Sequence, residues 1–128
     1  WNGEQIGVVY CDITGLKKVN DEQGHEAGDR LIIRACECLA GVFKGYGLYR
    51  IGGDEFLVLC LGIEEKDLRE HVEKLRMDMK EHQVTMAVGM IWKEHGPKDI
   101  DLLLNESERL MYEDKDRYYK EHGLKRRR

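Results

Sequence analysis

Gly52-Gly53-Asp54-Glu55-Phe56-Leu57-Val58-Leu59-Cys60 is the stretch whose reading decides the fold of this chain. Two glycines let the backbone reverse, adjacent carboxylates follow, and Phe56 to Cys60 is an apolar run of strand length. With Leu48 to Ile51 ahead of the glycines it reads as a hairpin, arms Leu48 to Ile51 and Glu55 to Cys60, whose Gly-Gly turn is of a kind that accommodates positive φ. Toward the N-terminus, Ile6 to Asp12 reads as another buried strand, this one ending in an acid. If the two strands are neighbours, Asp12 and Asp54 meet at one edge of a sheet, where oxygen ligands can hold a hard cation.

The remaining elements follow from periodicity. Ile13-Thr14-Gly15 leads into a short helix over Leu16 to Glu22 that Gly24 ends. A second helix is expected from Asp29 to Val42, with Ile32, Cys36 and Leu39 on one face. Leu68, Val72, Leu75 and Met79 make the apolar stripe of a helix over Glu64 to Glu81. Val84 to Trp92 alternates, with Val84, Met86, Val88 and Met90 facing one way and Thr85, Ala87 and Gly89 the other. Gly96-Pro97 breaks the chain, and Ile100, Leu103, Leu104 and Met111 mark a last helix that Asp99 caps and Gly123 ends. The order is β-α-β-β-α-β with an extra helix, an α+β fold of the split βαβ kind: an antiparallel-rich sheet flanked by helices. In that topology the first strand lies beside the second arm of the hairpin, which brings Asp12 next to Asp54.

A chain of 128 residues fits a single domain, 1–128, that buries a core without staples. Its start at Trp1 shows no signal-peptide pattern and reads as though cut from something longer. The net charge of −4 argues against a nucleic-acid partner, and Lys125-Arg126-Arg127-Arg128 reads as a solvated end rather than a binding patch. No apolar run reaches the roughly 20 residues of a membrane helix, so no direct membrane contact is expected. Four cysteines without a disulfide framework or a metal-ligand spacing suit a reducing, cytoplasmic setting.

Two segments together carry a resemblance. Gly52-Gly53-Asp54-Glu55-Phe56 is the signature of the GGDEF family, the diguanylate cyclases, and Asp12-Ile13-Thr14-Gly15-Leu16-Lys17-Lys18-Val19-Asn20-Asp21, followed by Gly24-His25-Glu26-Ala27-Gly28-Asp29, resembles that family's nucleotide-binding stretch in order and spacing. The resemblance implies a fold shared with nucleotide cyclases and polymerase palms, and an activity that condenses two GTP molecules into cyclic di-GMP across a homodimer of domains. It implies Mg²⁺ (or Mn²⁺) held by Asp12, Asp54 and the carbonyl of Ile13, with Glu55 taking part in metal binding or proton transfer. Gly15, Leu16 and Lys17 would offer backbone N–H groups to phosphate, and Gly53 belongs to the same substrate-binding set. Asp29, with Asn20 beside it, would select guanine through its N1–H and N2–H₂ donors, and Lys115 matches the family's late phosphate-contacting lysine. An upstream sensor or dimerisation domain is implied as well, with the whole being cytoplasmic or the cytosolic part of a membrane-anchored protein.

Duller readings stand beside these. On position alone Asp29 serves equally as a helix cap, Gly52-Gly53 as an ordinary turn, and Lys17 and Lys115 as surface lysines. His25, Tyr10 and Trp92 are assigned no chemistry. Against the family pattern, Thr14 replaces a frequent second acid, Tyr119 replaces a frequent arginine, and Phe43 and Tyr46 occupy the arginine and aspartate positions of the product-inhibition motif. The family's usual opening helix and turn do not precede the first strand. These departures keep open a non-catalytic GTP-binding module that regulates a neighbouring domain; a split βαβ nucleic-acid binder suits the topology but not the charge.

Overall fold

The computed structural model describes residues 4–123, so Trp1 and the Lys125–Arg128 tail lie outside the described residues. Four strands form one sheet in the order β2-β3-β1-β4, with every neighbouring pair antiparallel. β1 (Ile6–Ile13) is buried along its whole length because it is flanked by strands on both sides and by helices on both faces. Its odd positions Val9, Cys11 and Ile13 enter the larger core, while Ile6, Val8 and Tyr10 enter a smaller one on the opposite face.

The larger core is closed by α2 (His25–Val42) and α3 (Glu65–Glu81), which bring Leu31, Ala35, Leu39, Leu68, Val72, Leu75 and Met79 to the sheet. The smaller one is closed by α4 (Ile100–Glu121), through Leu103 and Met111. A Cβ on Gly89 of β4 (Met86–Lys93) would stand 2.2 Å from the Ser107 carbonyl oxygen and 2.4 Å from the Met111 nitrogen. The expected small-residue face of this strand, Ala87 and Gly89, is thus what lets the α4 backbone approach. Asp99 caps α4 by accepting from the Asp101 N–H at 3.0 Å, as expected.

Several expected boundaries move. α1 (Leu16–Gln23) and α2 are separated by Gly24 alone, so α2 begins at His25, not Asp29. Asp29 therefore lies one turn inside the helix and is not its cap. Gly28 is needed inside the helix: a Cβ there would lie 1.7 Å from Asn20 Oδ1 on α1. The buried stripe of α2 is Leu31, Ala35, Cys38 and Leu39, a step round from the expected one, leaving Ile32 and Cys36 half-buried at its border. β4 starts at Met86, two residues after the alternation suggested: Val84 still donates back to the Met79 carbonyl of α3, and Thr85 only accepts from the Thr14 N–H.

The hairpin arms are β2 (Gly47–Arg50) and β3 (Glu55–Leu61), one residue off the expected bounds. Neither Gly52 nor Gly53 has positive φ, so the freedom a Gly-Gly turn allows is not used here. The connection between the strands is four residues long, with Ile51 N–H donating to the Glu55 carbonyl at 3.0 Å, and a loop of that length does not need the left-handed residues of a two-residue turn.

Candidate active site at the sheet edge

In the β1–β3 register Asp12 stands opposite Glu55, so both side chains project from the α4 face. Asp54 comes one residue before Glu55, and its carbonyl accepts from the Ile13 N–H at 2.8 Å. The two predicted acids are thereby tied together through the backbone.

Asp12 is 4% exposed, and its Oδ2 accepts from Lys115 Nζ of α4 at 3.0 Å. Its Oδ1 is buried with no hydrogen-bond partner. Burial raises the pKa of the Asp12 carboxyl to about 6, against the lowering influence of the Lys115 ammonium; the nearby charge of Asp54 pushes it up further. A second carboxylate and an orphaned buried oxygen are what a hard cation would satisfy, and the donor set is all oxygen. Among the described residues no three of His, Cys, Asp and Glu are gathered closely enough to hold a metal by side chains alone. The residues present thus fit a cation only as a two-carboxylate site completed by backbone, substrate or water oxygens.

Glu55 is half-buried, and burial, then Asp54, then Glu108 raise its pKa. Its Oε1 lies 3.5 Å from the hydroxyl oxygen of Tyr10, whose hydrogen is nearer Glu108 Oε2 of α4, at 3.1 Å. Sequence reading passed over Tyr10 and Glu108. The signal available was parity: Tyr10 shares a strand face with Asp12, and Glu108 lies seven residues before Lys115, two helical turns away on the same side of α4.

Gly15 opens α1 with φ 82, in the left-handed region that glycine tolerates. The first i→i−4 bond of α1 is Val19 N–H to the Gly15 carbonyl, which leaves the N–H groups of Leu16 and Lys17 without helical partners. Lys17 is exposed and pairs with Asp21 at 3.3 Å. Asn20 packs against Gly28, the residue before the exposed Asp29 on α2. A Cβ on Gly53 would meet nothing within 4 Å, and the Gly53 carbonyl accepts from Arg50 at 2.6 Å. Burial lifts the thiols of Cys11 and Cys60 to about 12, so both stay protonated and inert.

A model of the family described as diguanylate cyclase, GGDEF domain, matches residues 2–120. The chain belongs to the GGDEF family. It is 30% identical over 122 residues to the bifunctional diguanylate cyclase/cyclic di-GMP phosphodiesterase MucR of Pseudomonas aeruginosa, covering 88% of this chain and 18% of that protein. It is also 30% identical over 128 residues to the cyclic di-GMP phosphodiesterase PdeR of Escherichia coli, covering 90% of this chain and 19% of the relative. The GGDEF chain thus spans about a fifth of the length of each. In fold it is similar to the active GGEEF domain of a diguanylate cyclase from Vibrio cholerae, with a TM-score of 0.80 at 23% identity over 89% of this chain and 78% of the other. No helix among the described residues is long and apolar enough to cross a membrane.

Proposed function

We propose that this GGDEF domain is a diguanylate cyclase half-site: it binds one GTP and, facing a second copy, condenses two GTP molecules into cyclic di-GMP with release of pyrophosphate. The observation that carries the reading is the pairing of Asp12 with Asp54 at the sheet edge, where the buried Asp12 Oδ1 lacks a donor. Asp12, Asp54 and the Ile13 carbonyl would hold Mg²⁺ or Mn²⁺. When bound, the ion supplies activation of a 3′-hydroxyl and neutralisation of charge on the α-phosphate.

The chain's own residues do the rest. N–H groups of Gly15, Leu16 and Lys17 at the start of α1 cradle the phosphates, where the helix dipole favours negative charge. Lys115 brings a cation to the same end of the sheet. Asp29 accepts from guanine N1–H and N2–H₂ while Asn20, fixed against Gly28, contacts the same base; adenine lacks those donors on that edge. Gly53 leaves its side of the loop open for close approach. Glu55 takes up the proton of the attacking hydroxyl or assists at the metal. Partner domains upstream, sensing or dimerising, would set how often two such sites meet, and GTP places the reaction in the cytoplasm.

The test is incubation with GTP and Mg²⁺ after fusion to a dimerising segment, beside the Asp54→Ala variant. Cyclic di-GMP from wild type alone supports the reading. Equal product from both, or none from the dimerised wild type, defeats it.

A second reading is a GTP-binding regulatory module without turnover. Three observations favour it: Lys115 is already engaged by Asp12, Thr14 stands where a second acid is frequent, and Tyr119 is half-buried with its ring 5.6 Å from that of Tyr118. Calorimetry that finds GTP binding while the dimerised protein makes no product would select it.

A further inference from the structure

Between α1, the first half of α2 and the connection from α3 into β4 lies a cavity of about 310 Å³ that the metal and nucleotide assignments leave unused. Of the residues placed at the metal, the base and the phosphates, only Gly15 borders it; Asp12, Asn20, Asp29, Asp54 and Lys115 do not.

The charged walls of this cavity are all of one sign. Lys18 of α1 and Arg30 and Arg34 of α2 line it and no carboxylate does, in a chain whose net charge is −4. Arg30 and Arg34 stand one turn apart on a single stripe of α2, where like charges repel. Carboxylates are within helical reach, Glu22 one turn after Lys18 and Glu26 one turn before Arg30. Yet among the described residues none of the three cations makes a side-chain hydrogen bond or an ion pair. Elsewhere in this protein the same spacing is used: Lys17 pairs with Asp21, Arg69 with Glu65, Lys74 with Asp78 and Arg109 with Glu113. Three uncompensated cations around one hollow are what an anion satisfies.

We propose that this cavity binds a small phosphate-bearing anion of pyrophosphate size. The two guanidinium groups supply planar forks that match phosphate oxygens, and Lys18 adds a compact charge. Thr14, Gln83 and Thr85 border the same space and offer hydroxyl and amide donors to the remaining oxygens. This polar wall is held in place, because the Thr14 N–H donates to the Thr85 carbonyl at 2.8 Å. The volume sits at the small end for ligand sites, which suits a diphosphate. A free anion and the end of an organic diphosphate present the same oxygens to these groups.

The experiment is an NMR titration of the backbone amides in Mg²⁺-free buffer, with inorganic pyrophosphate, with ADP, and with sodium chloride at matched ionic strength. No turnover enters it, so its outcome is separate from that of the cyclase reading. Pyrophosphate should shift the amides of Ala27, Arg34 and Thr85 to saturation. Arg30→Ala and Arg34→Ala should each weaken it by roughly tenfold or more, with Arg34→Lys in between because it keeps the charge and loses the fork. Arg69→Ala removes the same charge from the first turns of α3 and should leave the affinity unchanged. Without ligand, Arg34→Ala should melt no lower than wild type, since a like-charge contact is relieved, and it should lose the rise in melting temperature that pyrophosphate gives wild type. ADP saturating the same amides at least as tightly as pyrophosphate would identify the anion as the end of an organic diphosphate; a preference for pyrophosphate would identify a free one. Shifts that never saturate and are matched by chloride mean an adventitious ion only and overturn the proposal. Shifts confined to Gly15, Leu16 and Lys17, or an equal loss of affinity in Arg69→Ala, overturn it as well.

Discussion

Lys115 of α4 reaches Asp12 of β1 at 3.0 Å, across 103 positions of sequence, and occupies only one of its two carboxylate oxygens. The pair is buried, so its members depend on one another. Truncating the cation leaves an uncompensated buried charge, which typically costs about 3–5 kcal/mol. Lys115→Met should therefore lower unfolding stability at pH 7 by about 3 kcal/mol. The loss should shrink at pH 5, where Asp12 takes up a proton, and denaturant titrations at the two pH values measure both effects.

The same carboxyl makes stability depend on pH. Its pKa is raised from 3.8 to about 6 on folding, so the folded state holds this proton more tightly than the unfolded one. The contribution is fully present below about pH 4 and is lost as pH rises through about 6. With chelator present, unfolding free energy from this group should fall between pH 4 and pH 7 by roughly 2–3 kcal/mol, because each tenfold gain in proton affinity on folding is worth about 1.4 kcal/mol. Millimolar Mg²⁺ should restore stability at pH 7 and do little at pH 4.5, where the site is protonated. A magnesium effect equal at both pH values would mean that the ion binds elsewhere.

The contrast between these groups shows how much of the site was legible. Asp12 beside Asp54 followed from strand order, because the split βαβ topology places the first strand beside the second arm of the hairpin, and the antiparallel pairing is what the structure has. The end of α1 at Gly24 and the stripe of α3 followed from local chemistry in the same way. The start of α2 did not: that Gly28 is needed inside the helix depends on Asn20 of α1 standing against it. Nor did the fact that Lys115 pairs with Asp12, or that Glu108 meets Tyr10: which helical residues face which strand residues depends on how closely α4 approaches, and that is decided by one glycine on β4.

That glycine yields a sharp prediction. In Gly89→Ala the new methyl would overlap backbone atoms of Ser107 and Met111, which cannot rotate away, so α4 must shift as a body. A loss of about 2–3 kcal/mol is expected from overpacking of this kind. Because α4 carries Lys115, GTP-dependent product should fall even under conditions where the variant remains folded. Thermal unfolding and turnover measured on one preparation separate the two effects.

Gly53→Ala should behave in the opposite way. Its Cβ meets nothing within 4 Å and its φ is not positive, so stability should stay within about 0.5 kcal/mol of wild type. If the open side of this loop is where nucleotide approaches, GTP affinity should drop at least tenfold with the melting temperature unchanged. Equal GTP affinity in the two proteins would remove Gly53 from the binding set.

The last prediction concerns the base. Asp29 is exposed and one turn inside α2, so the helix does not need it as a cap and its replacement should cost little stability. Asp29→Asn exchanges one acceptor oxygen for a donor that opposes the guanine N1–H, whereas a hydrogen bond from a neutral donor to a carboxylate is worth about 1.5–3 kcal/mol. GTP affinity should therefore fall by roughly tenfold or more, while ATP, which lacks the N1–H and N2–H₂ donors, should bind about as weakly as before. Gly28→Ala offers an independent check, because it displaces the Asn20 amide without touching a charge and should weaken GTP in the same direction. Parallel losses for GTP and ATP in Asp29→Asn would show that the residue acts on the phosphates or the fold, and the guanine-reading role would be withdrawn.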